Sequence, residues 1–198
     1  SGHSRAQSPR WGDMTPPLQR WWQFHPTWPV LLAIFFGTVL LYYVAGRLAL
    51  LVLSEPEGVA VFWPASGIAA GLALALTRLA RAPIALAVAA ATVVANLEAR
   101  ANIPATAVFA ICNAMECLIF VWVMQRLDKA RALLEILPSF AAFVVAAAVA
   151  AGLAALPAAF TIQVQGLSNS PLLQIWITWF KSDALGIVVM APAIITLP

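Results

Sequence analysis

Long apolar stretches separated by short polar ones dominate the chain, and their lengths predict membrane-spanning helices. A helix that crosses a bilayer needs about 20 consecutive, mostly apolar residues. Six segments approach or exceed this length, and we interpret each as one span: residues 28–53, 59–77, 83–97, 104–127, 139–162 and 171–197. Their apolar residues are continuous and do not alternate with polar ones, so the pattern predicts an all-α transmembrane bundle and argues against a β-barrel.

The second segment contains an interruption, the sequence "VFWPASGIAAG" at residues 61–71. Pro64 removes a backbone donor and clashes with the preceding turn, so the residues before it need not continue the helix that begins there. Non-helical backbone at membrane depth is tolerated only where protein or water satisfies it. We therefore expect the indole N–H of Trp63 and the hydroxyl of Ser66 to contribute to a polar site. Gly67 and Gly71 are four residues apart and predict close approach by a neighbouring helix.

The last segment carries charged residues near its middle, where charge is costly unless it faces protein or water. Lys181 and Asp183 are two positions apart, or about 200° around a helix, and cannot share a face. Lys181 extends a stripe of polar residues, whereas Asp183 lies on a second stripe with Trp179 and Gly186. Both stripes need neighbours, so we expect other helices to enclose this one.

The fourth segment supplies partners for these charges. Asn113 and Glu116 are three residues apart on one helical face, and Glu116 lies at roughly the depth of Lys181. We predict a polar cluster centred on Lys181, with Glu116 or Asp183 as its partner and Asn113 completing the hydrogen bonds. Two residues of the third segment are further candidates for its outer side: Thr92 and Asn96. Such a cluster either binds a ligand or switches between packings, or it is a buried ion pair that only holds helices together.

Composition supports the membrane assignment. Of the 198 residues, 63% are hydrophobic and 10% charged, whereas soluble domains are about half apolar and a quarter charged. Eight of the eleven lysines and arginines lie in the amino-terminal tail and in the second and fourth loops. The positive-inside rule then predicts that both termini are cytoplasmic. We divide the chain into a polar cytoplasmic tail, residues 1–27, and a six-helix transmembrane domain, residues 28–198.

The sequence contains no motif typical of a catalytic site or of a cofactor-binding site. It has no Walker loop and no set of metal-ligating residues, and its two histidines, His3 and His25, lie outside the spans. Two intramembrane histidines are thus not available to ligate a haem. We expect no enzymatic activity in this chain, no cofactor and no bound nucleic acid.

Three segments resemble a known family. The sequences "FWPASGIAAGLAL", "NAMECLIF" and "WFKSDALGIVVMAPAIITL" are similar to hallmark segments of the membrane-associated sensor domain of the first MASE class, and the resemblance spans residues 28–198. It implies a bacterial inner-membrane input module, typically fused to histidine kinases, diguanylate cyclases or related outputs. The family's characteristic residues fall on Trp63, Pro64, Gly67, Asn113, Glu116, Asp183, Gly186 and Pro192. The family usually has about eight spans, which leaves open whether the chain is truncated.

The leading hypothesis is therefore a sensor. A ligand, lipid or membrane partner would bias two packings of the bundle around the cluster, and the last helix would relay the difference to a cytoplasmic signalling domain. One alternative is a transporter or channel fragment, with Lys181, Glu116 and Asp183 lining a pathway. Another is an accessory subunit that packs through Gly67 and Gly71 against a larger membrane complex. The expected partners are the lipid bilayer, a signalling domain or another membrane protein, and a second copy of the chain.

Overall fold

The computed structural model describes residues 26–51, 53–54, 59–98, 102–134 and 139–197. Most of the predicted tail, residues 1–25, lies outside the described residues. Six α-helices make up nearly all of the described chain: α1 Trp28–Ala49, α2 Pro64–Ala75, α3 Arg81–Glu98, α4 Ile103–Leu134, α5 Ser139–Val164 and α6 Leu172–Ile195. Between α1 and α2, two short strands, β1 Leu53–Ser54 and β2 Val59–Ala60, pair antiparallel. The prediction of an all-α membrane bundle with about six helices is confirmed.

Five of the six helices are long and apolar enough to cross a membrane, and α2 is the exception. With 12 residues at 1.5 Å each, α2 is about 18 Å long, whereas the hydrocarbon core is about 30 Å thick. The predicted span at residues 59–77 is thus wrong in its first part, because Val59 and Ala60 form β2. The predicted break is confirmed: the helix begins at Pro64, where a missing N–H and a fixed φ favour a helix start.

The short helix α2 lies inside the bundle. It packs most extensively against α6, and also against α1 and α4, while α1, α3, α4, α5 and α6 contact one another in that order around it. Eight of its 12 residues are buried, and apart from Ser66 and Ile68 they are all alanine or glycine. Small side chains let neighbouring backbones approach closely. Such close packing drives the association of helices in a membrane, where the hydrophobic effect does not favour contact between them.

The outward faces of the long helices carry large apolar side chains. Exposed examples occur on four of them: Phe36, Leu40, Leu86, Trp122, Leu153 and Phe160. In water such a surface would be an aggregation liability, but it suits a helix bundle surrounded by lipid tails. Most of the bundle's exterior is therefore lipid-compatible, with the exposed Lys181 near the middle of α6 as a polar exception.

Candidate functional site

Two carboxyl side chains, Glu116 of α4 and Asp183 of α6, are neighbours inside the bundle. Each lies near the middle of a membrane-length segment, Ile103–Leu127 and Leu172–Ile195 respectively. Glu116 is 1% exposed and Asp183 3% exposed. The structure thus brings two acidic groups together at mid-membrane depth, away from the surface of the protein.

The proline break places Ser66 against this pair. Because α2 begins at Pro64, Ser66 lies in the first helical turn, and its hydroxyl donates a hydrogen bond to Glu116 Oε2. Just before the helix, the indole Nε1 of Trp63 donates to the phenol oxygen of Tyr42 at 3.0 Å. The two rings also meet edge to face, with centroids 6.3 Å apart.

Two further helices reach the same region. The side-chain amide of Asn113 on α4 donates to Thr92 Oγ1 on α3 at 3.2 Å, and Tyr42 neighbours Thr92 as well as both carboxyl groups. We refer to these buried side chains as the polar core: Tyr42, Trp63, Ser66, Thr92, Asn113, Glu116 and Asp183. Five helices contribute to it, and α5 does not.

Several buried atoms of this region have no hydrogen-bond partner. In the polar core they are the oxygens Asn113 Oδ1, Glu116 Oε1 and Asp183 Oδ2, and beside it are Ser182 Oγ and Trp179 Nε1. Buried polar atoms in folded proteins are paired in the large majority of cases, and an unpaired one costs about 1–3 kcal/mol. The polar core therefore retains unused hydrogen-bonding capacity at these three oxygens.

Lys181, predicted as the centre of the cluster, is not part of it. The side chain is exposed on α6, whereas Asp183 is buried. An α-helix separates the two positions by about 200°, so only one can face the interior. The face that contains Gly186 packs against α2, and this contact turns Asp183 inward and Lys181 outward.

The ion pair between Arg47 and Glu98 lies at one end of the bundle. It does not provide Glu116 and Asp183 with a cationic neighbour. Arg47 Nε lies 3.6 Å from Glu98 Oε2, and the Tyr43 hydroxyl donates to the same oxygen at 2.6 Å. In the described part of the chain this is the one salt bridge, and its two side chains are 36% and 49% exposed. The polar core is thus acidic and uncompensated by the described side chains.

The helices α2 and α6 touch through their backbones at the edge of the polar core. A Cβ added at Gly67 would overlap the carbonyl oxygen of Gly186, and one added at Gly186 would overlap that of Trp63. The backbone N–H of Trp63 donates to the carbonyl of Ser182 at 3.3 Å. Gly71 faces α6 as well, further along the contact. Movement of α6 therefore acts directly on the start of α2.

Trp179 lies at the rim of the polar core. Its half-buried ring packs against Phe109 with centroids 5.0 Å apart, and its indole lies near the Asp183 carboxyl. Sequence reasoning missed Tyr42, whose hydroxyl is the acceptor for Trp63. The available signal was weak, since Tyr42 and Tyr43 are adjacent in an apolar segment and only one of them faces inward.

Comparison with known proteins gives one family. The family model of the MASE1 domain matches residues 19–198, a range that includes all six helices and begins inside the predicted tail. No curated protein matches the chain, and no solved structure does. The matched range also contains every residue of the polar core.

Proposed function

This chain belongs to the MASE1 family, and we propose on that premise that its polar core is the sensing site of a signalling protein. MASE1 is a membrane sensor domain, and with five membrane-length helices the chain is a multi-pass protein of the bacterial inner membrane. In this proposal the chain is non-catalytic. Its output is a cytoplasmic signalling domain of the kind linked to MASE1 domains, such as a histidine kinase or a diguanylate cyclase.

The observation that supports a sensing role is the convergence of five helices on one buried core with unpaired oxygens. A ligand that satisfies those oxygens would bind one packing of the helices better than another and would shift the population toward it. The last helix, α6, contributes Asp183 and touches α2 backbone to backbone. A change in the core would therefore displace the helix that leads toward the carboxyl end.

One alternative has an observation in its favour. A half-length helix that ends at a polar site near the midplane is also a device of transporters, and α2 has this form. A transporter needs an aqueous route to its site in each of two states, and here Glu116 and Asp183 are almost fully enclosed. A sensor does not need an aqueous route through the bundle in each of two states, so we favour the sensor over the transporter.

The test uses isosteric substitutions in the complete signalling protein that contains this chain. We expect Asp183→Asn and Glu116→Gln each to change basal output activity, or to abolish its response, in native membranes. The control is Glu98→Gln, which alters an exposed carboxylate at the end of the bundle and should leave output unchanged. If both core variants accumulate normally and signal like the wild type, the polar core only packs helices and the sensing surface lies elsewhere.

A further inference from the structure

Lys181 is a cation on the outside of the bundle at the depth of the hydrocarbon core. Its side chain is exposed. It is the tenth of the 24 residues of α6, so its Cα lies about 4 Å from the midpoint of the helix. Half of the hydrocarbon core is about 15 Å thick, and an extended lysine side chain reaches about 6 Å. With α6 centred in the membrane, the ammonium group therefore does not reach the lipid headgroups.

The described part of the chain provides no partner for this charge. Its one ion pair joins Arg47 to Glu98 at the end of the bundle, and no described side chain forms a hydrogen bond or an ion pair with Lys181. Lysine is among the most costly residues at the centre of a membrane helix. Charged side chains at this depth are almost always paired or face water, so Lys181 needs a partner that the described helices do not supply.

The side of α6 that contains Lys181 is turned away from the bundle. Residues at spacings of three and four share one helical face, and we refer to the following four as the Lys181 face: Thr178, Lys181, Leu185 and Val189. Leu185 is 50% and Val189 51% exposed. The opposite side of α6, which contains Gly186, packs against α2. The Lys181 face thus presents one cation, one hydroxyl and two aliphatic side chains to the membrane.

A single carboxylate at the same depth matches this face. It balances the one positive charge, and the ammonium group donates to it in a charge-assisted hydrogen bond, which a low dielectric constant strengthens. Lipid phosphates lie in the headgroup region, outside the hydrocarbon core. The matching group is therefore the side chain of an aspartate or a glutamate on another membrane helix.

A second copy of the chain does not supply this group. Glu116 and Asp183 are buried, and Glu98 is the last residue of α3, so the described exterior has no carboxylate at mid-membrane depth. Symmetric pairing through the Lys181 face would bring the same patch of both copies together, and two ammonium groups repel each other there. The six apolar segments of residues 1–198 already form the described bundle, so none of them is left to cover the face.

We propose that the Lys181 face of α6 docks a helix of a second membrane protein, through one aspartate or glutamate of that helix at the depth of Lys181. The aliphatic side chains of Leu185 and Val189 pack against the same helix. The inference goes beyond the proposed function and does not depend on it, because Asp183 lies on the other side of α6.

The experiment is site-specific photocrosslinking in native membranes, with the complete signalling protein that contains this chain. Benzoylphenylalanine replaces Leu185, one turn from Lys181 on the same face, and mass spectrometry identifies the crosslinked peptide. We expect an adduct with a membrane helix of another protein that has an aspartate or glutamate beside the crosslink. Lys181→Met should lower the yield of this adduct about 3- to 30-fold, the range that polar contacts between membrane helices provide. Lys181→Arg should retain the adduct.

The control position is Leu153, which is 50% exposed near the middle of α5. Benzoylphenylalanine at this position should crosslink to lipid and should not give the adduct. Replacing the partner's carboxyl group by the corresponding amide should lower the yield at Leu185 as much as Lys181→Met does. If the Leu185 variant does not accumulate, Val189 on the Lys181 face takes its place.

The proposal would be overturned by adducts only with lipid, with a second copy or with another part of the same polypeptide. A partner helix without a nearby carboxyl group would also overturn it, as would equal yields from Leu185 and Leu153 or an unchanged yield in Lys181→Met. The expected adduct, together with polar-core variants that signal like the wild type, would support this inference and refute the proposed function. Altered signalling in those variants, with only lipid adducts at Leu185, would do the reverse.

Discussion

Tyr42 shows how a single buried hydroxyl couples two helices at the polar core. Its oxygen accepts the indole N–H of Trp63 at 3.0 Å, and Tyr42 is 1% exposed. Removing one partner of a buried hydrogen bond costs about 1–3 kcal/mol, because the other partner stays desolvated and unpaired. We therefore expect Tyr42→Phe to lower the free energy of unfolding by that amount, measured by thermal unfolding in detergent micelles.

The neighbouring residue provides the matched control for this substitution. Tyr43 also makes one hydrogen bond through its hydroxyl, to Glu98, but that bond is exposed. Tyr43→Phe leaves a carboxylate that water can solvate, so its cost should stay below about 1 kcal/mol. Equal destabilisation by the two variants would show that the Tyr42 hydroxyl makes no special contribution.

At the scale of residues, the sequence identified candidate residues for the polar core better than it predicted which of them face the interior of the bundle. Helical periodicity shows that Lys181 and Asp183 occupy different faces, but it does not say which face is buried. Gly186, three residues after Asp183, was the usable signal, because a glycine within an apolar helix commonly marks a close helix contact. The pairing of Glu116 with Asp183 needs the three-dimensional arrangement of α4 and α6, which periodicity within one helix does not contain.

At the scale of helices, the contact between α2 and α6 depends on glycine. A Cβ at Gly67 would overlap the backbone of Gly186 and would lie 2.6 Å from Met190 Cβ. Backbone atoms cannot move aside by changing rotamer, so Gly67→Ala should force the helices apart and destabilise the protein by about 1–3 kcal/mol. Thermal unfolding of the purified protein measures this loss, and the separation should also alter signalling output if α6 is the relay.

The control for that prediction is Gly37→Ala on α1. Gly37 is exposed, and an added Cβ would meet no atom within 4 Å. Alanine is favoured over glycine within a helix by about 1 kcal/mol, so this variant should be as stable as the wild type or slightly more stable. A loss of stability at Gly37 equal to that at Gly67 would mean that helix contact is not the cause.

The ends of a helix could be predicted where a residue at that end determines them by its own backbone. Pro64 determines the start of α2 by its own backbone, and the third span, predicted at residues 83–97, is the helix Arg81–Glu98. The error at residues 59–63 arises because a criterion based on the length of an apolar stretch counts apolar residues without regard to their backbone conformation. Val59 is buried like a helical residue, yet it pairs with Ser54 in a hairpin, and that pairing depends on a contact outside the segment.

At the scale of the whole molecule, the positive charges in the loops predict how the bundle is oriented in the membrane. The number of spans between two loops then predicts whether those loops lie on the same side. Three membrane-length helices, α3, α4 and α5, separate the turn near Leu79 from the loop near Leu167, so we expect these two positions to lie on opposite sides of the membrane. The turn carries Arg78 and Arg81, and positive charge is retained on the cytoplasmic side. The helix α6 then returns the chain to the side of Leu79, where a cytoplasmic output would have to be attached.

Cysteine accessibility tests this orientation. Leu79 is 55% and Leu167 43% exposed, and the two native cysteines, both buried and free, can be replaced by alanine to provide a background without thiols. We expect Leu167→Cys to react with a membrane-impermeant maleimide in intact spheroplasts, and Leu79→Cys to react only in inverted membrane vesicles. The reverse labelling would place the carboxyl end outside the cell. A relay from the polar core through α6 to a cytoplasmic domain would then be impossible, whatever the polar core binds.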